Sequence, residues 1–320
     1  MKYRCAILDD YQGVALKMAD WKSIADKVEV EVFKDKISGH EALCRTLEPF
    51  HIVSLMRERT PFGKDLIAAL PNLQLIMTTG SQNFSIDVAE ANRRNIVVCG
   101  TSALAHPTVE LTFALMLELA RRAGHESVTM ANGKPWQDRV GVDLFGKTFG
   151  VVGLGRLGTA AAKIAMAFGM KVLAWSPNLT RERCAAAGVG YADKDELFRV
   201  SDVVSIHLQL SARTRDIVGE SELALMKPGA FLINTARGEL INEPALLSVL
   251  KARKIAGAAI DVYAQEPLPL DHPLRHLPNV VLTPHIGFVT EDNYRTYYGG
   301  TVEGIRAWLA KSPIRVLSPQ

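Results

Sequence analysis

The sequence predicts an α/β protein made of two doubly wound parallel sheets. Three observations carry this. Short apolar runs alternate with helix-length segments along almost the whole chain. In the first half the runs recur at roughly 20-residue spacing, which supplies the crossovers that parallel strands need. The chain has 320 residues, enough for two domains at ~150 residues each.

In the first series the expected strands are CAIL (5–8), VEVEVF (28–33), HIVSLM (51–56), LQLIMTT (73–79) and NIVVCG (95–100). GKDLIAAL, stopped by Pro71-Asn72, and SIDVAEANRR read as helices between them. A long helix follows: Pro107-Thr108-Val109-Glu110 opens it, LTFALMLELARR continues it and Gly124 closes it. Its near-unbroken apolarity up to Arg121 predicts burial against a domain or a subunit. The segment 132–148, NGKPWQDRVGVDLFGKT, is turn-rich. A second series begins at Thr148 with TFGVVG, KVLAWS (171–176), VVSIHL (203–208), AFLINTA (230–236), AGAAIDV (256–262) and VVLTPH (280–285). TAAAKIAMAF, TRERCAAAG, TRDIVGESELALM and EPALLSVLKAR fit between as helices, and TEDNYRTYYGGTVEGIRAWLAK forms a last one.

Composition narrows the function. The chain is 48% hydrophobic and 22% charged, with a net charge of +3. No run of basic residues is longer than a pair such as Arg93-Arg94 or Arg121-Arg122, so no basic stripe for nucleic acid is expected. No apolar run approaches the ~18 residues of a membrane span, and MKYRCAILDD has too short an apolar stretch before Asp9 for a signal peptide. Cys5, Cys44, Cys99 and Cys184 are scattered without a CxxC, which suits reduced thiols, no metal site and a cytoplasmic location.

The stretch Val151-Val152-Gly153-Leu154-Gly155-Arg156-Leu157-Gly158 carries the first functional signal. It follows a strand and opens a helix, as a dinucleotide-binding loop requires. Gly153 permits the turn, Gly155 lets backbone approach a pyrophosphate and Gly158 lets the helix pack on the strand. Free N–H groups and the positive end of the helix dipole complete the anion site. Such loops carry an acid ~20 residues on for the ribose 2′-hydroxyl. Here the second strand ends Ala174-Trp175-Ser176-Pro177-Asn178, with Ser176 in that place and Arg181 and Arg183 following. Lacking a carboxylate, the site accepts a 2′-phosphate without repulsion. NADP is therefore compatible, and NAD remains so because Ser can hydrogen-bond a ribose.

Three later strand ends carry reactive groups: Arg237 in NTARGEL, Asp261 and Glu266 in DVYAQEPLP, and His285 in LTPHIG. Ligands of open α/β sheets bind outside the carboxyl ends of strands. A histidine there can protonate an alkoxide near neutral pH, a carboxylate beside it favours the imidazolium, and an arginine can grip a substrate carboxylate and polarise its keto oxygen.

With these residues in view, the chain resembles the D-isomer-specific 2-hydroxyacid dehydrogenase family over nearly its whole length. The motifs are GLGRLG, LMKPGAFLINTARGELINEPAL, AAIDVYAQEPLP and NVVLTPHIGFVTE, in the family's order and spacing. The resemblance implies a Rossmann nucleotide domain (103–288) inserted into a flavodoxin-like substrate domain (1–102 and 289–320), with a hinged cleft for substrate. It implies Arg237 as substrate-binding, His285 as acid/base and Glu266 as its partner. Gly153, Gly155, Arg156, Leu157, Gly158, Ser176, His207, Thr214, Ala236, Asp261 and Thr108 are the expected cofactor contacts, Asp261 and Thr108 on the nicotinamide side. Met77-Thr78-Thr79-Gly80-Ser81-Gln82-Asn83 resembles the family's substrate loop, whose amides at Gly80 and Ser81 are expected to bind a carboxylate together with Arg57. The implied reaction is hydride transfer between NAD(P) and a small D-2-hydroxy or 2-keto acid by a homodimer, with the long helix near the subunit contact. Dinucleotide-sensing corepressors share the fold and supply the alternative reading. Formate enzymes of this fold carry Gln in place of Glu266.

Overall fold

The computed structural model describes residues 2–134, 136, 137 and 139–319. Pro135 and Asp138 of the turn-rich segment lie outside the described residues. The chain divides into two compact units, Met1–Leu104 with Val289–Gln320, and Ala105–Phe288.

The first unit holds β1 (Tyr3–Ile7), β2 (Val28–Val32), β3 (Ile52–Leu55), β4 (Leu75–Thr78) and β5 (Val97–Gly100), in the order β2-β1-β3-β4-β5. Every pairing is parallel. β3 and β4 are buried at every residue, as central parallel strands covered on both faces are. The edge strand β2, VEVEV, alternates its burial instead, with both Glu residues exposed. The terminal helix Glu291–Leu309 packs against β4 with Tyr297, Tyr298 and Ile305 fully buried. It can approach closely because Gly304 has no side chain: a Cβ there would lie 2.4 Å from the Met77 methyl carbon. The strand order reverses between β1 and β3, so the loops after them, with those after β4, form the ligand-competent edge of this sheet.

The second unit holds β6 (Thr148–Val152), β7 (Lys171–Trp175), β8 (Gly190–Tyr191), β9 (Val203–Ile206), β10 (Phe231–Asn234), β11 (Gly257–Ile260) and β12 (Val280–Leu282). Their order is β12-β11-β10-β9-β6-β7-β8, again all parallel. The switch point falls between β6 and β9, directly at the glycine loop. One face of this sheet is covered by Ala161, Ala162 and Ala165 of the helix Arg156–Ala167 and by Phe113, Met116 and Leu119 of the helix His106–Arg121. Leu197, Phe198, Leu246 and Leu250 belong to a second apolar cluster.

Local departures from the sequence reading have physical reasons. The long helix does not stop at Gly124. Arg122 adopts a left-handed conformation (φ 53°) that ends His106–Arg121, and a second helix, Ala123–Ala131, starts at once. TRDIVGESELALM is helical only over Glu220–Leu225, because Gly219 caps that helix by donating its amide to Glu222. The helices His40–Leu47 and Lys194–Val200 and the two-residue β8 were not read from the sequence. They are short and weakly patterned, and tertiary packing decides them. All four cysteines are free, and burial pushes the Cys5 thiol up to about 12 and the Cys99 thiol to about 11, far from thiolate chemistry. Among the described residues no helix is long and apolar enough to cross a membrane.

One surface-edge ion cluster gives a pH test of stability. Glu90 accepts from Arg93 at 2.6 Å and from Arg94 at 2.9 Å. These hydrogen bonds, Arg93's first, draw the Glu90 carboxyl down to about 2 from its ordinary 4.5, against the pull of burial. A depressed carboxyl adds stability that is complete above its ordinary value and lost as pH falls toward its folded value. The melting-temperature gap between wild type and Glu90→Gln should therefore stay constant from neutral pH down to about 5 and shrink below 4.5. A gap that widens on acidification contradicts this account.

Candidate active site

The glycine loop is built as its spacing requires. Gly153 has φ 107°, and a Cβ on it would meet the His207 carbonyl carbon at 2.8 Å, so the loop packs backbone to backbone on the end of β9. A Cβ on Gly158 would fall 2.0 Å from the Gly153 carbonyl oxygen. Gly155 differs: nothing lies within 4 Å of its Cβ position. It is also the N-cap of the helix Arg156–Ala167, extended and without a side-chain cap. The helix therefore starts with amides that no side chain covers, beside an open space that only a residue without a side chain leaves. Gly155 and Arg156 are exposed and Leu157 half-buried. This is the shape a pyrophosphate fits.

Ser176 follows β7 directly and is half-buried, with its carbonyl accepting from Leu179. The Arg181 guanidinium lies 4.6 Å over the Tyr191 ring, and Arg183 is exposed. At the end of β9, His207 Nε2 is 2.9 Å from Ser205 Oγ. Burial lowers the His207 imidazole to about 4, so it is neutral at neutral pH. Thr214 is buried, donates to the Gln209 carbonyl at 2.7 Å and accepts from the Ser211 amide at 2.8 Å. Its hydroxyl shapes the 209–214 loop.

Arg237, Glu266 and His285 stand on three adjacent strand ends, after β10, β11 and β12. Glu266 Oε2 is 2.7 Å from His285 Nδ1, and its Oε1 accepts from the Tyr263 amide at 2.9 Å. Burial alone would raise the Glu266 carboxyl. The His285 hydrogen bond and charge, the Tyr263 amide and the Arg237 charge outweigh it and hold the group below its ordinary value. Glu266 is therefore a carboxylate at neutral pH, and His285 keeps Nε2, across the ring, for chemistry. Side-chain exposures of 24% for His285 and 33% for Glu266 leave the pair reachable. His285 itself has φ 52°, a conformation that costs a non-glycine residue about 1 kcal/mol or more and collects at functional sites.

The backbone brings Arg237 to the pair. A Cβ on Gly238 would lie 2.2 Å from the Tyr263 carbonyl carbon, so only glycine lets the NTARG turn meet the loop that carries Glu266. Asn234 shapes that turn: its Oδ1 accepts from the Ala236 amide at 3.0 Å and its Nδ2 donates to the Arg237 carbonyl at 2.8 Å. Ala236 contributes its carbonyl to Arg237 Nη1 at 2.7 Å.

Asp261 is fully buried. Its Oδ1 accepts from Thr283 Oγ1 at 2.6 Å and the Ile286 amide at 2.8 Å, and its Oδ2 from the Gly287 amide at 2.9 Å. Burial raises its carboxyl despite those bonds and the His285 charge. In this structure its visible work is to fold the loop that presents His285. Ala105 is the N-cap of the helix His106–Arg121, and Thr108 Oγ1 donates to the Gly287 carbonyl at 3.1 Å, tying that helix to the same loop.

In the first unit the Gly80 amide, expected to meet a substrate carboxylate, donates to Thr101 Oγ1 at 2.8 Å in a buried position. Gly80 serves a different need: its φ is 89°, and a Cβ would collide with Arg57 Nη1. Arg57 lies across it, donating from Nη1 to the Thr79 carbonyl at 3.3 Å. Ser81 is exposed at the loop tip. Asn83 ties the loop to Arg57 O and Thr78 Oγ1.

The bonding roles of Asn234, Thr283 and Asn83 were missed from the sequence. For Asn234 and Thr283 the signal was a polar residue at a strand end otherwise apolar, where a buried amide or hydroxyl bonds its neighbours; Asn83 lies in the loop after β4 and carries no such signal. Among the described residues no cluster of three or more His, Cys, Asp or Glu could hold a metal ion.

Comparison with known proteins places the chain. Residues 113–287 match the family described as D-isomer specific 2-hydroxyacid dehydrogenase, NAD binding domain. Glyoxylate reductase from Aeropyrum pernix is 41% identical over 239 residues, covering 71% of each protein. Hydroxypyruvate reductase from Thermotoga maritima is 35% identical over 300 residues, covering 92% of this chain and 94% of that protein. Among solved structures, a phosphoglycerate oxidoreductase from Vibrio cholerae O395 superposes with a TM-score of 0.91 at 36% identity, over 97% of this chain and 99% of that one.

The glycine geometry predicts a split between two identical substitutions. Gly158→Ala must push its methyl into backbone and should lower stability by about 2 kcal/mol or more. Gly155→Ala points into open space and should unfold with the wild type. Thermal unfolding of the two variants checks this; equal melting temperatures would remove the packing argument.

Proposed function

The chain belongs to the D-isomer specific 2-hydroxyacid dehydrogenase family, and from that premise we propose that it reduces a small 2-keto acid to the D-2-hydroxy acid, and runs the reverse reaction, with NAD or NADP. The observation that carries the reading is the Glu266–His285 pair at 2.7 Å, with Arg237 on the neighbouring strand end. The glyoxylate and hydroxypyruvate reductases among the relatives support a short, polar keto acid as substrate.

When bound, the nicotinamide supplies or accepts the hydride at the substrate's C2. The chain's own residues do the rest. Arg237 pairs with the substrate carboxylate in fork geometry and draws on the keto oxygen. His285 Nε2 gives its proton to that oxygen as the carbon is reduced, leaving a neutral imidazole, and takes it back in oxidation. Glu266 fixes the ring through Nδ1 and stabilises the imidazolium before transfer. The amides of Gly155, Arg156 and Leu157 would hold the pyrophosphate, while Gly153, whose own amide donates to the Trp175 carbonyl at 2.8 Å, and Gly158 shape the loop, with Ser176, His207, Thr214, Ala236, Asp261 and Thr108 around the rest of the dinucleotide. Ser81 and Arg57 remain proposed substrate contacts, on the geometry of their own loop. Ser176 in place of an acid, with Arg181 and Arg183 nearby, is compatible with a 2′-phosphate.

The test is oxidation of reduced dinucleotide by the purified protein. Glyoxylate, hydroxypyruvate, pyruvate, phenylpyruvate and 2-ketobutyrate are each offered with NADH and with NADPH. Turnover establishes the reaction, and the cofactor ratio reports on Ser176. No turnover with tight dinucleotide binding transfers the reading to a dinucleotide sensor. His285→Ala should lower kcat by about 10²-fold or more while dinucleotide Kd stays within about twofold; an equal loss of both overturns the acid/base role.

We also propose a homodimer. Val128, Met130, Trp136 and Val140 are exposed at 60%, 66%, 71% and 98% in the segment after the helix His106–Arg121, an apolar surface that a second copy of the chain would cover. Sedimentation velocity should give a dimer, and Met130→Glu with Trp136→Glu a monomer. A wild-type monomer at micromolar concentration refutes the proposal.

A further inference from the structure

We propose that Tyr263 is a positioning residue for the His285–Glu266 pair, holding both partners at once through two different groups. This deepens the reductase reading and rests on it. The Tyr263 hydroxyl oxygen lies 2.9 Å from the Thr283 carbonyl oxygen and 3.0 Å from that of Ile260. The Thr283 carbonyl is also the acceptor of the His285 amide, at 3.0 Å. One carbonyl oxygen thus joins the Tyr263 hydroxyl to the tight turn that ends in His285. At the other end, the Tyr263 amide donates to Glu266 Oε1 at 2.9 Å, and Glu266 Oε2 meets His285 Nδ1 at 2.7 Å. The chain of contacts closes on itself: Tyr263 hydroxyl, Thr283 carbonyl, His285 amide, His285 imidazole, Glu266 carboxylate, Tyr263 amide.

The closure matters because His285 stands at φ 52° and its turn has few other ways to stay fixed. The Asp261 carboxylate anchors the residues on either side, Thr283, Ile286 and Gly287, but touches no atom of His285 among its hydrogen bonds. A catalytic imidazole loses efficiency on displacements of ~1 Å. A hydroxyl on a ring that is 8% exposed, and that has only two rotatable side-chain bonds, is a stiff strut for such a turn.

The same geometry says that the hydroxyl can be removed without loss of the fold. The Ile260 carbonyl also accepts from the Thr283 amide at 3.1 Å, and the Thr283 carbonyl keeps the His285 amide. Tyr263→Phe therefore leaves no carbonyl bare and no cavity larger than one oxygen. The charged groups facing this assembly are Glu266, Asp261, Arg237 and Arg275, all retained in the variant.

The experiment compares wild type and Tyr263→Phe, with thermal unfolding as the check on folding. The His285 ring protons are followed by NMR across pH and assigned with His285→Gln; this readout needs no turnover. The titration midpoint of His285 should be lower in Tyr263→Phe than in the wild type, as the pairing with Glu266 loosens. With the best keto acid, kcat should fall about fivefold, with KM within about twofold and the pH profile of kcat moved the same way as the midpoint. A lower melting temperature with midpoint, kcat and pH profile unchanged would mean that the hydroxyl only supports the fold, and the proposal fails. If the wild type reduces none of the keto acids, the reductase reading fails by itself, while the His285 midpoint still decides whether Tyr263 positions the pair.

Discussion

A carboxylate with no access to water stands at the C-terminal end of β11, and the loop that presents His285 is folded around it. Asp261 accepts from the Thr283 hydroxyl and from the amides of Ile286 and Gly287. Hydrogen bonds to a charged group contribute roughly 1.5–3 kcal/mol each, and leaving a buried charge unpaired costs about 3–5 kcal/mol. These bonds hold Thr283, Ile286 and Gly287, the residues on either side of His285, and so fold the loop after β12. Thr108 and Gly238 depend on the same arrangement. Thr108 reaches the loop through the Gly287 carbonyl, and Gly238 lets the Arg237 turn rest on the Tyr263 backbone.

The two carboxylates near His285 answer to the same burial in opposite directions. Asp261 meets mainly neutral donors in full burial, and its carboxyl is raised. Glu266 is partly exposed, touches the imidazole and feels Arg237, and its carboxyl is lowered. Environment alone moves two similar acids in opposite directions, one folding the loop and the other paired with the imidazole. The glycine loop of the same sheet has one charged side chain, the exposed Arg156, and its shape comes from its glycines: Gly153 and Gly158 pack against backbone, and Gly155 leaves open space.

The first unit shows the same economy at its own strand ends. Arg57 crosses Gly80 and reaches Thr79, Asn83 ties the loops after β3 and β4 together, and Thr101 occupies the Gly80 amide. Glycine at position 80 leaves the gap that the Arg57 guanidinium fills.

The architecture was legible in the sequence because parallel strands buried on both faces are written as unbroken apolar runs, and because the glycine loop has a spacing that few other structures need. The strand-end placement of Arg237, Glu266 and His285 was legible for a related reason: charged and polar groups at strand ends interrupt apolar patterns. Short elements such as Gly190–Tyr191 and Lys194–Val200 were not, since their stability comes from neighbours rather than from their own pattern. Nor could the sequence tell which amides are free and which are spent. Gly80 and Gly155 are both glycines beside an expected anion, yet one amide is bonded inside the sheet edge and the other opens a helix beside empty space. The left-handed His285, the clamp of Asp261 and the double hold of Tyr263 likewise belong to the tertiary structure. They arise where residues 20 or more positions apart meet, and no local pattern encodes a contact between strands that are joined only by the fold.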